Sequence, residues 1–131
     1  MISKVLVADD ELLIRWAISE ALKREGHETK IVEDGAKALE SMEKEEFDFV
    51  VTDLFMPGTD GWAVLERART AYPCMKVIII TARGSRETEE KAREMGAYGY
   101  VEKPDIIDGI KTLVKGEPWP RIPAVRGLNR S

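Results

Sequence analysis

Cysteine and histidine are almost absent from this chain of 131 residues, which has one of each, Cys74 and His27. A single cysteine excludes an internal disulfide and the cysteine-rich metal sites, and it suits a reducing compartment. Because the chain also has only one histidine, it offers no cluster of cysteine and histidine ligands for zinc. Any metal site is therefore expected to use oxygen ligands.

Long apolar runs are also missing. No stretch approaches the ~20 residues that a membrane span requires, and the N-terminus lacks the apolar core of a signal peptide. Internal repeats and low-complexity segments are absent from the sequence as well. We therefore expect a cytoplasmic protein that has no membrane partner.

A basic surplus is missing from most of the chain, because acidic residues outnumber basic ones. The formal net charge is −4, with the acidic excess in residues 1–115, whereas residues 116–131 carry three Arg and one Glu. This distribution offers no basic surface large enough for nucleic acid, so we expect no direct nucleic-acid binding by this domain. The length suits one domain over residues 1–115, followed by a tail or linker with proline and arginine over residues 116–131.

What the sequence does contain is a set of short apolar runs that each end in a polar residue. Such β-branched runs, alternating with helical patterns, are typical of parallel strands that are buried on both faces. In an open parallel α/β sheet, ligands bind beyond the carboxyl ends of the strands. We expect the polar residues to meet at that edge of the sheet; they are Asp9 and Asp10, Asp53, Thr81, and Lys103.

The periodicity predicts five strand–helix units. Strands are expected at about 3–8, 28–32, 47–52, 75–80 and 97–101, and helices at about 11–25, 35–44, 61–70, 85–95 and 105–115. Gly109, in the middle of the last helix, costs about 1 kcal/mol relative to alanine. We therefore expect this helix to be the least stable of the five.

Three of the polar residues, Asp9, Asp10 and Asp53, are carboxylates. Two carboxylates ~4 Å apart repel each other by about 4 kcal/mol at a partly screened protein site. A hard cation and a nearby lysine would offset this repulsion, and Mg²⁺ suits a site of one or two carboxylates, several waters and phosphate oxygens. The sequence therefore predicts a Mg²⁺ site with Lys103 beside it.

Such a site is suited to phosphoryl chemistry, because a carboxylate can act as a nucleophile and form an aspartyl phosphate. Asp53 follows the run that is expected at the centre of the sheet, so it is the favoured acceptor. Lys103 and the metal would neutralise the transferring group, and Thr81 would donate a hydrogen bond to a phosphoryl oxygen. That new hydrogen bond would give the modified protein a reason to change shape.

Four motifs together resemble the receiver domain of two-component response regulators. They are 7–11 (VADDE), 52–58 (TDLFMPG), 80–82 (ITA) and 101–104 (VEKP), and the resemblance covers about residues 3–114. Each motif alone is weak, but all four occur in order, each at a strand end. The resemblance implies an α/β fold, a flavodoxin-like (βα)5 doubly wound parallel sheet with strand order 2-1-3-4-5.

The resemblance also implies roles for individual residues. Asp53 would be the phosphoacceptor, Asp10 and Asp53 would bind Mg²⁺ directly, and Asp9 would bind it through water. The remaining implied roles are a backbone carbonyl ligand from Phe55, phosphate binding by Thr81, Ala82 and Lys103, a switch pair of Thr81 and Tyr100, and a cis peptide between Lys103 and Pro104.

In such a protein the phosphoryl group comes from a sensor histidine kinase, and its arrival alters the surface of the fourth helix, fifth strand and fifth helix. The resemblance implies a signalling module and not an enzyme, apart from its part in its own phosphotransfer and dephosphorylation. It also allows a homodimer through the altered surface, and it leaves the downstream effector unspecified.

Two other functions stay open at this point. A Mg²⁺-dependent phosphohydrolase of the haloacid-dehalogenase type also uses an aspartate at a strand end, but it needs an acidic residue two positions later, where this chain has Phe55. Phenylalanine cannot transfer a proton, which disfavours the hydrolase. The third function is a receiver-shaped interaction module that takes no phosphate, because Asp105 follows Pro104 where the family usually has a large apolar residue.

Overall fold

A computed structural model of the chain describes residues 2–103 and 105–117. Within these ranges, strands and helices alternate as the periodicity predicts. The strands are β1 (Lys4–Ala8), β2 (Glu28–Val32), β3 (Phe49–Asp53), β4 (Lys76–Thr81) and β5 (Gly99–Glu102). The helices are α1 (Leu12–Arg24), α2 (Gly35–Lys44), α3 (Gly61–Ala71), α4 (Arg86–Glu94) and α5 (Ile106–Val114).

The strands form one parallel sheet in the order β2-β1-β3-β4-β5, which confirms the predicted fold class. β3 is the central strand, with β1 and β4 on its two sides. Ala8 pairs with Thr52, and Asp53 pairs with Ile80. The residues that follow β1 therefore lie next to the end of β3, at the point where open α/β sheets bind their ligands.

The sheet separates two apolar layers. Neighbouring residues on a strand point to opposite faces, so Val50 belongs to the layer covered by α2, α3 and α4, and Val51 to the layer covered by α1 and α5. Both valines are fully buried. This two-sided burial accounts for the unbroken apolar runs, because a strand covered on both faces has no solvent-facing side.

Side chains cap three of the helices. The capping residues of α2, α3 and α4 accept hydrogen bonds from backbone N–H groups in the first turn, and each such cap stabilises a helix by about 1 kcal/mol. The cap residues are Asp34, Asp60 and Ser85. At the start of α1, Glu11 makes no side-chain cap hydrogen bond. Among the described residues, no helix combines the length and apolar character that a membrane span needs.

The ends of three strands differ from the expected ends by one residue. Asp53, Thr81 and Glu102 still belong to their strands, because Asp53 pairs with Ile80 and Thr81 pairs with Glu102. A polar side chain ends each apolar run, but the backbone ladder continues through it. The tail predicted from residue 116 lies outside the described residues beyond Glu117.

Gly109 has a packing role that the sequence pattern does not reveal. A Cβ atom at this position would lie 2.7 Å from Cγ1 of Val101. The absence of a side chain at Gly109 therefore lets α5 approach β5 closely. The expected loss of helix propensity accompanies this close packing.

Candidate functional site

Four carboxylates converge at the carboxyl edge of the sheet. One oxygen from each of the four residues lies within 4.8 Å of the others; the residues are Asp9, Asp10, Glu11 and Asp53. The turn between β1 and α1 supplies the first three, and the last residue of β3 supplies Asp53. Asp9 and Asp53 are buried, whereas Asp10 and Glu11 are exposed. The cluster therefore has a buried half and a half that faces solvent.

The ammonium group of Lys103 lies among these carboxylates. Its Nζ atom is 3.1 Å from Oε1 of Glu11, 3.4 Å from Oδ2 of Asp9 and 3.5 Å from Oδ2 of Asp53. The backbone N–H of Lys103 donates to the carbonyl of Thr81 at 2.9 Å, which fixes the base of the lysine side chain. The residue that follows β5 thus brings one positive charge to the acidic cluster.

Burial makes the ionised carboxylates costly. Burial raises the pKa of Asp9 to about 6, and the charge of Asp53 adds to this shift. The hydrogen bond from the N–H of Glu11 and the charge of Lys103 oppose the shift. Burial also raises the pKa of Asp53, although the charge of Lys103 opposes the shift. Burial alone would lower the pKa of Lys103, but its hydrogen bond with Glu11 and the surrounding carboxylates raise it. The cluster therefore carries more negative charge than one lysine neutralises.

Hydrogen bonds from neighbouring residues orient both buried carboxylates. The backbone N–H of Glu11 donates to Oδ1 of Asp9 at 2.8 Å, and the backbone N–H of Phe55 donates to Oδ1 of Asp53 at 3.3 Å. Arg15 of α1 donates from Nη1 to the backbone carbonyl of Asp9 at 2.8 Å. In each carboxylate, the backbone holds one oxygen and the other oxygen contacts Lys103.

Thr81 is the last residue of β4 and lies beside the acidic cluster. It is fully buried, and its Oγ1 accepts a hydrogen bond from the backbone N–H of Arg83 at 3.0 Å. Its place in the register is one residue beyond Ile80, the partner of Asp53. Ala82 follows Thr81 and is exposed.

Tyr100 lies in β5, where it pairs with Ile79. The residue is 8 % exposed, and it packs in the layer covered by α2, α3 and α4. Burial raises the pKa of the hydroxyl group, and the backbone of Ser85 opposes this shift. Since Ser85 caps α4, Tyr100 links β5 to the start of that helix.

The structure brings Asp9, Asp10, Asp53 and Lys103 together at one edge of the sheet. It adds Glu11, which the sequence analysis did not assign to the site. The position of Glu11 directly after the aspartate pair pointed to a place in the site. A glutamate before a helix, however, often interacts only with the first turn of that helix. The role of the Phe55 carbonyl stays a prediction, and the predicted cis peptide involves Pro104, which lies outside the described residues.

The ligand set fits Mg²⁺. All four candidate groups supply carboxylate oxygens, which are the hard ligands that Mg²⁺ prefers. The buried pair, Asp9 and Asp53, would gain from a cation because their charges are poorly solvated. The exposed pair leaves solvent access for the water molecules that Mg²⁺ usually retains.

Comparison with known proteins agrees with this geometry. The family model of the response regulator receiver domain matches residues 5–115. The chain belongs to the response regulator receiver family. Receiver domains are signalling modules of two-component systems; they bind Mg²⁺ at an acidic pocket, and response regulators have histidine kinases as partners.

Two relatives of this receiver domain differ in length. Sporulation initiation phosphotransferase F of Bacillus subtilis is 36 % identical over 115 residues, which cover 88 % of this chain and 93 % of that protein. The DNA-binding transcriptional regulator NtrC of Escherichia coli is 36 % identical over 111 residues, which cover 85 % of this chain but 24 % of NtrC. The receiver domain therefore spans nearly all of the first relative and a minor part of the second.

A solved structure supports the fold. The chemotaxis protein CheY4 of Vibrio cholerae superposes with a TM-score of 0.79 at 27 % sequence identity, covering 88 % of this chain and 98 % of CheY4. The strand order and helix placement of the receiver domain are therefore those of a CheY-like, flavodoxin-like fold.

Proposed function

We propose that this receiver domain, over residues 1–115, accepts a phosphoryl group on Asp53 from a sensor histidine kinase in a Mg²⁺-dependent reaction. The contact of Asp53 Oδ2 with Lys103 Nζ at 3.5 Å, inside the acidic cluster, is the observation that carries the proposal. This contact supports the proposal because the carboxylate that would be the nucleophile, a cation and candidate metal ligands lie close together.

In the transfer, an oxygen of Asp53 attacks the phosphorus atom of a phosphohistidine. The new O–P bond forms as the P–N bond breaks, and the imidazole leaves with the electron pair and takes up a proton. The N–H of Phe55 holds Oδ1, so Oδ2 has a defined direction. Lys103, which lies beside Oδ2, would stabilise the negative charge on the phosphoryl oxygens.

Asp9, Asp10 and Asp53 are the side chains that would hold Mg²⁺, together with the carbonyl of Phe55. When bound, the ion supplies positive charge that favours the approach of the anionic phosphoryl donor. Burial of Asp9 and Asp53 reduces the hydration of their charges, which strengthens their attraction to any cation.

After transfer, the hydroxyl of Thr81 would donate to a phosphoryl oxygen, with the backbone of Ala82 beside it. Movement of Thr81 would change the packing near the ring of Tyr100, because the two residues lie on neighbouring strands. The change would reach the surface formed by α4, β5 and α5. A homodimer through that surface, a downstream effector and a cytoplasmic location stay predictions.

Labelling by a small acyl phosphate tests the proposal. Incubation with acetyl phosphate and Mg²⁺ should add one phosphoryl group to the protein, as measured by intact-protein mass spectrometry. We expect the label to disappear in Asp53→Asn and on removal of Mg²⁺ with a chelator. Asp108→Asn makes the same chemical change at an exposed position of α5 and should be labelled like the wild type.

Other outcomes would reject the acceptor residue or favour a different function. Persistent labelling of Asp53→Asn would reject Asp53 as the acceptor. Multiple turnovers of phosphomonoesters would favour the phosphohydrolase, although Phe55 stands where its proton donor would be. A protein that no acyl phosphate and no histidine kinase labels would be an interaction module that takes no phosphate.

A further inference from the structure

The shortest of the three described carboxylate contacts of Lys103 is the one with Glu11. Its distance of 3.1 Å compares with 3.4 Å to Asp9 and 3.5 Å to Asp53. The Glu11 side chain is 61 % exposed, whereas the Asp53 side chain is 7 % exposed. The ammonium group therefore lies closest to the carboxylate at the solvent side of the cluster, and not to the acceptor.

We propose that Glu11 is a positioning residue that pairs with Lys103 at the solvent side of the cluster and competes with Asp53 for the ammonium group until a phosphoryl group arrives. This inference rests on the proposed phosphorylation of Asp53. It adds a competitor to that reaction: a carboxylate that pairs with the lysine in the resting protein and must release it during transfer.

The local structure leaves Glu11 available for this role. Glu11 precedes α1 but makes no side-chain hydrogen bond to the first turn. Its backbone N–H is occupied, since it donates to Oδ1 of Asp9 at 2.8 Å. This hydrogen bond to the Asp9 side chain fixes the turn, while the carboxylate of Glu11 contacts Lys103.

The energetic consequence has a definite sign. An interaction that is present in the resting state and weakened in the transition state slows the reaction. As charge develops on the phosphoryl oxygens, Lys103 must turn from Glu11 toward them. Removing the Glu11 contact should therefore speed phosphorylation.

The competing role for Glu11 is that of a metal ligand, because its carboxylate belongs to the acidic cluster. This role predicts the opposite effect of a Glu11 substitution on the phosphorylation rate. Loss of a ligand would weaken Mg²⁺ binding and slow phosphorylation. The two roles can therefore be separated by measuring the rate and the Mg²⁺ affinity of the same variants.

Three variants provide the test. Glu11→Gln removes the charge, and Glu11→Asp keeps the charge but shortens the side chain by one methylene, which should lengthen the 3.1 Å contact with Lys103 beyond ion-pair distance. Asp105→Asn removes a carboxylate from an exposed position that precedes α5. The rate of labelling by acetyl phosphate is measured over a range of donor concentrations at saturating Mg²⁺, and Mg²⁺ affinity is measured by calorimetry on the unphosphorylated proteins.

We expect Glu11→Gln and Glu11→Asp to raise the maximal labelling rate by about two- to fivefold, the range for loss of one partly exposed ion pair. Their Mg²⁺ affinities should stay close to that of Asp105→Asn, whose rate should match the wild type. Slower labelling with a Mg²⁺ affinity reduced about tenfold or more would identify Glu11 as a metal ligand and overturn the proposal. Unchanged rates, or a rate increase in Glu11→Gln alone, would also overturn it. If the wild type itself takes no label, the phosphoacceptor function fails, which is a separate result.

Discussion

The ammonium nitrogen of Lys91 on α4 lies 4.3 Å from the centroid of the Trp62 ring on α3. Ala92 is buried in α4, and the other residues of this helix are half-buried or exposed. The cation–π contact therefore contributes to holding a helix that has little apolar surface. We expect Lys91→Gln to reduce the free energy of unfolding by about 0.5–1 kcal/mol and to accelerate amide hydrogen exchange in α4.

Lys91→Arg is the matched control, because a guanidinium also interacts with the face of an indole ring. Its unfolding free energy and exchange rates should stay near those of the wild type. If the Gln and Arg variants exchange equally fast in α4, the contact with Trp62 does not hold the helix.

A second prediction concerns Gly109, which faces Val101. Alanine at Gly109 would gain about 1 kcal/mol in helix propensity. Its Cβ would, however, lie 2.7 Å from Cγ1 of a β-branched side chain that has little freedom to move. Overpacking of this kind costs about 1–3 kcal/mol, so we expect Gly109→Ala to destabilise the protein in urea unfolding.

The double variant Gly109→Ala/Val101→Ala checks the cause. Shortening Val101 removes the atoms that the new methyl group would meet, so the combined loss of stability should be smaller than the sum of the single losses. Additive losses would contradict a direct clash between these two residues.

A third prediction concerns the buried carboxylate of Asp9. Because burial raises the pKa of Asp9 to about 6, its ionised form destabilises the fold at neutral pH. Asp9→Asn should therefore raise the free energy of unfolding in metal-free buffer, by up to about 3 kcal/mol. Mg²⁺ should stabilise the wild type through binding to the native state, and it should stabilise this variant less.

Thermal unfolding with and without Mg²⁺ measures both effects. Asp108→Asn should respond to Mg²⁺ as the wild type does, since Asp108 lies in α5. A variant Asp9→Asn that is less stable than the wild type without metal would show that the contact with Lys103 outweighs the cost of burial.

A fourth prediction concerns acid stability at the opposite edge of the sheet. Glu45 lies 2.8 Å from Nζ of Lys4 and 2.5 Å from Nζ of Lys30. Its hydrogen bonds with Lys30 and Lys4 lower the pKa of the carboxyl group from 4.5 to about 2. The ionised form is therefore favoured in the folded protein, and its contribution to stability is complete above pH 4.5 and is lost as the pH falls toward 2.

Urea unfolding of Glu45→Gln across this pH range tests the assignment. The wild type should be more stable than the variant at neutral pH, and the difference should disappear near pH 2. Glu66→Gln, at an exposed position of α3, should differ from the wild type by a nearly constant amount. A difference for Glu45→Gln that does not change with pH would contradict the role of the two lysines.

The sequence predicted the strand–helix alternation well because β1, β3 and β4 are buried on both faces and therefore read as apolar runs. It was less informative where a polar residue is buried. Ser19 of α1 is buried, and its hydroxyl lies 2.6 Å from that of Thr29 on β2. Periodicity counts Ser19 as a surface residue, because the hydrogen bond that permits its burial depends on a distant strand.

The candidate site was predictable to the extent that it follows from strand ends. Asp9, Asp53 and Lys103 meet because parallel strands end at the same edge. The contact of Glu11 with Lys103 was not predicted, because Glu11 lies beyond the strand end and only the directions of the two side chains bring them together. The packing role of Gly109 was also not predicted, because helix propensity is a local property, whereas the close approach to Val101 is not.

The separation of the core into two layers has a consequence for Asp53, the proposed phosphoacceptor. Val50 and Val51 fill opposite layers, and Asp53 follows on the same strand. A slip of β3 by one residue would force each valine into a space shaped for the other and would turn the acceptor to the wrong side. Uncharged side chains deep in the protein thus orient the carboxylate of Asp53, and a methyl group removed from Val51 could disturb the proposed phosphorylation while every charged residue stays intact.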